Sequence, residues 1–493
     1  MKKASIIGSG IAGLSAAIDL AASNFEVTVH EKNDKPGGRI NYFEMDGFKF
    51  DMGPSWYWMP EVFEDFYKKH GYTTSDFYQL KRLDPSYKVI FSSKKSVDIP
   101  ADFTQLLELF ESKEKGSSQK LKKFIDEAAY KYKVGMEEFV WKPSHSIFEF
   151  VSLKILKSVF QLQLFSSISK EINNVVKDPD LRKILEFPVL FLGATPEDTP
   201  ALYSLMNYAD LKLGTWYPKG GMFNISQAFY KIALEKGVKF KFNDPVSRFE
   251  YSGNKIKSVV SNSSKTDTDV VVGAADYHHV DQHILSAKFS NYSASYWDSR
   301  KLAPSSILMF LGVNKKIKNL SHHNLFFDTD FKKHSSEIYK NPIWPTDPLF
   351  YVCAPSLTDN TVAPPEHENL FVLIPVAPDL DDNNEAIMED YYNQVIGRIE
   401  SYTGDTFKKD IVTKKFFGVK DFKSLYNSYK GNAYGLANTL FQTAFLKPSL
   451  KNKKLTNLYY SGQLTTPGPG LPPSIISGQV VAKEIIKNFK QTC

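Results

Sequence analysis

The chain has 493 residues, 42% hydrophobic and 24% charged, with a net charge of +6, a globular composition long enough for two or more domains. Its two cysteines, Cys353 and Cys493, exclude a disulfide framework or a cysteine metal site and favour a reducing compartment. No run approaches the ~20 apolar residues of a spanning helix. The lysines, clustered at Lys113 to Lys123 and Lys451 to Lys454, suit a solvated surface or a face on anionic lipid, not nucleic acid.

The first stretch sets the frame. Ala4 to Ile7 is a short apolar run that leads into Gly8-Ser9-Gly10-Ile11-Ala12-Gly13. Leu14, Ala17, Ile18 and Ala21 then recur at helical spacing, Phe25 to His30 alternates around Val27 and Val29, and Glu31 closes the unit. Strand, glycine turn, helix, strand and terminal acid form the layout of a dinucleotide site. Gly8 permits the turn, Gly10 lets backbone approach a pyrophosphate, Gly13 lets helix and sheet pack closely, and Glu31 accepts from an adenosine ribose. A secretory signal is the competing reading of Lys2-Lys3 and the apolar run, but Ser5, Ser9, Asp19 and the glycines break that run.

Lys32 and Pro36-Gly37-Gly38-Arg39 follow, with a guanidinium placed to reach a phosphate. Asp46-Gly47 marks a hairpin between Tyr42 to Met45 and Phe48 to Met52, ending in a turn, Gly53-Pro54-Ser55, whose backbone faces the cofactor. From Pro60 to Tyr217 the pattern reads as mostly helical and aromatic, with a capped helix from Asp102 to Phe110. From Ser146 to Ile172, Phe148, Val151, Ile155, Val159 and Leu162 recur at three- and four-residue steps, as in a core helix or one dipping into a membrane surface.

Alternating α/β signals return at Gly220-Gly221, with a helix to Gly237, a strand over Val238 to Phe242 and a hairpin over Val246 to Val260. Asp269 to Asp276 reads as a buried strand ending in small residues and an acid. Leu302 to Val313 and Leu370 to Val376 read as strands of a second, aromatic- and proline-rich block. Leu458 to Gln463 is again strand-to-glycine, and a final helix from Ile475 to Phe489, starting at Ser474, offers free N–H groups to an electron-rich ring oxygen. A nucleotide-binding fold interrupted twice accounts for this order.

Together these residues resemble the flavin-containing amine oxidase superfamily. Within it they resemble the phytoene desaturase family of carotenoid desaturases, through Asp51 to Ser55, Trp216 to Met222, Ala274 to Asp276, Leu302 to Ser306, His322-His323, Asn432 to Gly435 and Tyr460 to Gly478. Thr465-Thr466-Pro467-Gly468-Pro469-Gly470, where many members read Thr-His-Pro-Gly-Ala-Gly, is the variant of a Bacteroidetes-type branch. The resemblance implies an α/β, Rossmann-like FAD-binding domain of glutathione reductase/amine oxidase type over 1–60, 218–290 and 440–493. It implies a mixed α+β substrate domain over 61–217 and 291–439, with a helical membrane-facing part near 146–172.

It also implies non-covalent FAD, with Gly8, Gly10, Ile11, Ala12 and Gly13 at the pyrophosphate and Glu31 and Lys32 at the ribose. Gly38, Arg39, Gly53, Pro54 and Ser55 line the cofactor, Val246 meets the adenine, and Gly462, Ile475 and Ile476 meet its pyrophosphate and ring ends. The implied reaction introduces double bonds into an acyclic carotenoid such as phytoene by hydride transfer to flavin. The alternative is 3,4-desaturation of a hydroxylated or monocyclic carotenoid; a flavin amine oxidase, a non-catalytic lipid-binding module like the Rab GDP-dissociation inhibitors, and an NAD-dependent dehydrogenase are further rivals. The expected setting is cytoplasmic, peripheral on the inner face of the membrane. No base is assigned: His145, His278, His279, His322 and His323 are candidates by residue type alone, and no metal-ligand constellation stands out.

Overall fold

The computed structural model describes residues 1–146, 149, 166–190, 193–439, 442–443 and 446–491. Its first layer is a five-stranded, wholly parallel sheet in the order 458–460, 270–273, β1 (Lys2–Ile7), β2 (Phe25–His30), 239–241. Strand residues alternate between faces, and both faces here are covered, which is why the strands read as nearly unbroken apolar runs. Ala4, Ile6, Val270 and Val272 pack under helices α1 (Ile11–Ala22), α3 (Phe223–Glu235) and α4 (Leu471–Gln491). Ile7 and Val271 point the other way, into Phe249, Ile256 and Val259 of a three-stranded antiparallel sheet over 246–267. Helix α2 (Pro60–Lys69) adds Phe63 and Phe66 to the helical side, with Phe66 stacked on Phe229 at 4.4 Å.

The second layer is a seven-stranded sheet ordered 411–417, 305–313, 368–376, 350–353, 323–326, 87–92, 95–99. Its pairings are antiparallel except for 323–326 with 87–92. One face, with Ile307, Met309, Leu311, Val372 and Ile374, is closed by Tyr391, Val395, Ile396 and Ile399 of helix Glu385–Thr403. The opposite face carries Leu308, Phe310, Leu325, Tyr351 and Phe371 toward the nucleotide-binding layer. The hairpin Tyr42–Asp51 bridges the layers: the Asp51 carboxylate accepts from Met222 N–H at 2.8 Å and Phe223 N–H at 3.0 Å, capping α3. Burial raises that carboxyl to about 7 against these two donors.

Two expectations change, and a third falls mostly outside the described residues. The 61–217 block holds strands Leu80–Arg82, Tyr87–Ser92 and Lys95–Ile99 as well as helices; Tyr87–Ser92 pairs with Lys95–Ile99 in a hairpin and on its other side with His323–Phe326, more than two hundred residues away. The last helix begins at Leu471, since prolines at 472 and 473 lack only N–H groups that a first turn leaves unbonded. The expected helix over 146–172 lies mostly outside the described residues; helix Ile168–Val175, capped by Ser167, covers its end.

Helices α1 and α4 meet backbone to backbone. A Cβ at Gly478 would stand 2.3 Å from the Ala12 carbonyl oxygen and 2.8 Å from Ser15 Cβ. Gly478→Val should therefore cost about 1–3 kcal/mol by overpacking, read as a thermal midpoint several degrees lower with the flavin-binding stoichiometry of the remaining folded protein unchanged.

A phosphate cradle opening into an apolar arm

The site is built where β1 ends. Gly8 turns the chain at a φ of +97°, its N–H donating to the His30 carbonyl at 2.8 Å. Helix α1 then starts at Gly10 with no side-chain cap and no acid in its first turn. Its N-terminal N–H groups and the positive end of its dipole are thereby left for an anion. Nothing lies within 4 Å of a Cβ built on Gly10, so that space belongs to a ligand. Gly13 serves one layer below: a Cβ there would sit 2.1 Å from the Gly8 carbonyl oxygen, and Gly13 does not line the cavity.

Around this turn four segments converge. Glu31, buried at the end of β2, accepts from Ser9 N–H at 2.8 Å, Ser9 Oγ–H at 2.7 Å and Asn33 N–H at 3.0 Å, which holds its carboxylate against the cavity. Lys32 lines the cavity but turns its ammonium to the Ser424 carbonyl and to Asn427 Oδ1. Gly37 and Gly38 fold back on the first turn, Gly37 N–H donating to the Ser9 carbonyl at 3.0 Å. Arg39 is half-buried, with Tyr426 under its guanidinium at 5.2 Å and Ser428 Oγ accepting at 3.2 Å. Burial lowers its affinity for protons while the nearby Asp276 raises it. Asp276, itself buried, is pushed up to about 6 by desolvation against Arg39 and neighbouring N–H groups.

The cavity that runs from this cradle measures about 990 Å³, at the top of the usual range for ligand pockets. Ile11, Ala12, Gly53, Pro54, Ser55, Val246 and Gly462 line it, as does the loop Thr465 to Ser474. Ile475 and Ile476 do not: their side chains are fully buried in the core, and the Ile475 carbonyl accepts from Ser15 Oγ at 2.8 Å. Starting α4 at Leu471 moves the exposed helix entry upstream of them. Beyond Ser55 the lining turns apolar, through Trp56, Trp58, Phe139, Phe187, Phe327 and Phe331. Asp276, the acid ending a strand expected beside a cofactor or another backbone, lines the cavity; sequence reasoning missed Trp56 and Trp58, for which the dense aromatic run directly after the Gly53 turn was the available signal.

An FAD fits this donor set. Arg39 Nε, Ser461 Oγ and Thr466 Oγ1 are buried polar atoms with no hydrogen-bond partner in the protein, an arrangement that costs free energy unless a polar ligand satisfies it. The cradle would hold the anionic middle of such a cofactor, Glu31 and Val246 its nucleoside end, and Gly53 to Ser55 and the segment before α4 its ring end. Of the candidate histidines, His279 lies at the cradle end, lowered to about 4 by burial. His145 pairs with Glu484 at 3.3 Å, and His278 stacks on Tyr429 at 3.8 Å; neither lines the cavity.

Comparison with known proteins agrees with this geometry. The model of the flavin containing amine oxidoreductase family matches residues 11–486. The chain is 37% identical to a carotenoid 3,4-desaturase of Haloarcula japonica, covering 98% of each chain. It is 30% identical to a zeta-carotene-forming phytoene desaturase of Myxococcus xanthus, covering 98% of this chain and 93% of that one. Among solved structures it resembles an oxidoreductase from Methanosarcina mazei, with a TM-score of 0.64 at 16% identity over 98% of this chain and 100% of that one. A putrescine oxidase matches with a TM-score of 0.64 at 14% identity over 99% of both chains.

Filling the open space over Gly10 tests the cradle. Gly10→Ala should melt with the wild-type apoprotein, because the φ of −66° suits alanine, yet bind FAD at least about tenfold more weakly, a loss of some 1.4 kcal/mol, measured by flavin retention and titration. With fold, cradle and relatives in agreement, the chain belongs to the flavin containing amine oxidoreductase family and is an FAD-dependent oxidoreductase.

Proposed function

We propose that the enzyme desaturates an acyclic carotenoid such as phytoene. The observation that carries this reading is the continuity of the cradle with the apolar arm: one cavity receives a flavin at one end and a long hydrocarbon at the other. When bound, FAD supplies the hydride acceptor. The protein would hold the polyene along the apolar arm beyond Ser55, where Trp56, Trp58, Phe187 and Phe327 would keep the reacting carbons dry. Among the described residues, the carboxylates lining the cavity, Glu31 and Asp276, both sit in the cradle. A cationic amine in the arm would be desolvated without a counter-charge, which weighs against an amine oxidase. The open, donor-rich cradle weighs against a lipid carrier that does without flavin.

A second reading, 3,4-desaturation of a hydroxylated or monocyclic carotenoid, is favoured by one observation, the 37% identity to the haloarchaeal desaturase of that name. Expression in a host that accumulates phytoene, with pigments resolved by chromatography, separates the two. Consumption of phytoene with appearance of coloured products is expected. Unchanged phytoene with turnover of a hydroxylated substrate selects the second reading, and turnover of neither rejects both.

A substrate this apolar resides in a bilayer, so we infer a peripheral protein on the inner face of the membrane. Among the described residues, no helix is long and apolar enough to cross one. Support comes from Leu446, which lines the cavity, and Trp141, two residues beyond the lining Phe139, both of which remain substantially exposed. Cosedimentation with anionic vesicles at low salt is expected, weakened by Trp141→Ser; a protein that stays in the supernatant under all lipid compositions would refute the inference.

A further inference from the structure

Against Ser55 and Trp56 lies a buried cluster that the flavin site does not use. His323 and Cys353 face each other as a cross-strand pair in the seven-stranded sheet, so their side chains share one face. His322 sits in the bend before that strand, which brings its ring to 4.5 Å from His323 instead of sending it to the opposite face. All three side chains are more than nine-tenths buried, and none lines the cavity. One donor atom from each lies within 4.8 Å of the other two. The cysteine count excludes a metal site built of cysteine alone, but a mixed set needs only one. Cys353 stands thirty residues beyond His323 in sequence, so no local spacing announces the three together.

The hydrogen bonds around the two rings decide where their protons are. Tyr351 O–H donates to Ser55 Oγ at 2.9 Å, so the Tyr351 oxygen accepts from His323 Nδ1–H, 2.6 Å away. Thr358 O–H donates to the Pro355 carbonyl at 3.4 Å, so the Thr358 oxygen accepts from His322 Nδ1–H, also at 2.6 Å. Burial keeps the rings neutral, and each is therefore an Nδ1–H tautomer with a lone pair on Nε2. Neither Nε2 has a hydrogen-bond partner. A buried acceptor left bare costs free energy, and this cluster holds two beside a thiol. An imidazole whose Nδ1–H is held by an oxygen while Nε2 stays free has the second-shell arrangement of a metal ligand. Trp56, stacked on the His323 ring at 4.1 Å and 12°, fixes its plane.

We propose that His322 Nε2, His323 Nε2 and Cys353 Sγ bind one divalent transition-metal ion of zinc type, with a water in the fourth position. Two imidazoles and a thiolate suit a borderline-soft ion and not magnesium or calcium, which take oxygen ligands. Tetrahedral zinc holds its ligand atoms about 3.3–3.6 Å apart, so the donors draw in by no more than about 1.5 Å. On binding, the thiol proton leaves to solvent, the thiolate takes the ion, and the ion keeps one of its waters. A void of about 20 Å³ beside Cys353 has room for that water. Asp51 lines the same void and acts electrostatically on the Cys353 thiol, which offsets the single positive charge a divalent ion retains over one thiolate. The ion is structural: it locks the His323 ring, and through the stacking contact it holds Trp56 in the wall of the arm. The site does not depend on which reaction the cavity performs.

The FAD-loaded full chain, produced in zinc-supplemented medium and desalted without chelator, is expected to carry zinc in a ratio to flavin near unity by elemental analysis. Exchange for cobalt(II) should give the intense visible bands of a four-coordinate ion, to the red of the flavin absorbance. Cys353→Ala removes both the zinc and the cobalt bands while flavin stoichiometry stays as in the wild type. Thr358→Val, at a half-exposed position, keeps all three ligands but takes away the acceptor for His322 Nδ1–H. It should weaken zinc by about tenfold to a hundredfold, measured by competition with a fluorescent chelator, and it serves as the decisive variant if Cys353→Ala fails to fold. A wild-type protein that retains no zinc and shows no cobalt bands overturns the site and leaves the two Nε2 atoms to water. Zinc held with wild-type content and affinity in both variants also overturns it, because the ion then lies elsewhere on the chain.

Discussion

The structure depends on backbone N–H groups that the protein leaves unpaired at the start of α1. A buried helix start without a cap is costly unless something outside the chain completes it. Here the neighbouring segments are shaped around that gap. Glu31 is spent on Ser9 and Asn33, and Gly37 bonds back to Ser9. The glycines at 10, 13 and 478 remove the side chains that would fill the cradle or wedge α1 away from the sheet and α4. The apoprotein is thereby pre-organised for a dianionic linker, and ligand binding stabilises it by mass action.

The second organising contact lies between the two sheets. The hairpin ending at Asp51 caps α3, and four residues later Ser55 bonds Tyr351 of the seven-stranded sheet. The chain thus passes from a polar cradle to apolar packing within a few residues. Buried groups crowd there with shifted proton affinities: Asp51 and Cys353 raised, to about 7 and about 12, and His322 lowered, each chiefly by desolvation. Lys447 is likewise lowered to about 7 by burial, its ammonium donating to Asn438 Oδ1 at 2.8 Å.

Local signals were legible where local physics decides. The run from Ala4 to Glu31, the Asp46-Gly47 hairpin, the Asp102 cap and the Val270 to Gly273 strand all appear where spacing and turn chemistry place them. Pairings between distant segments were not legible. Tyr87–Ser92 forms a local hairpin with Lys95–Ile99, but its place beside His323–Phe326 joins segments more than two hundred residues apart. The start of α4 was misplaced because proline reads as a breaker in sequence yet fits a first turn, so Ile475 and Ile476 moved from the cofactor into the core.

By itself, the sequence determined the nucleotide half: a glycine turn, its helix and its terminal acid are contiguous, and the physics joining them acts over one turn or one strand. Tertiary structure alone decided which aromatics form a cavity and which form core, because Trp56 and Phe187 line the arm whereas Phe63 and Phe110 are wholly enclosed, and nothing in their local spacing tells them apart. It also decided that Ser55, Tyr351 and His323, spread across nearly three hundred residues, share one chain of hydrogen bonds. Burial and proximity belong to the folded whole, and they turn ordinary hydroxyls and imidazoles into chemistry.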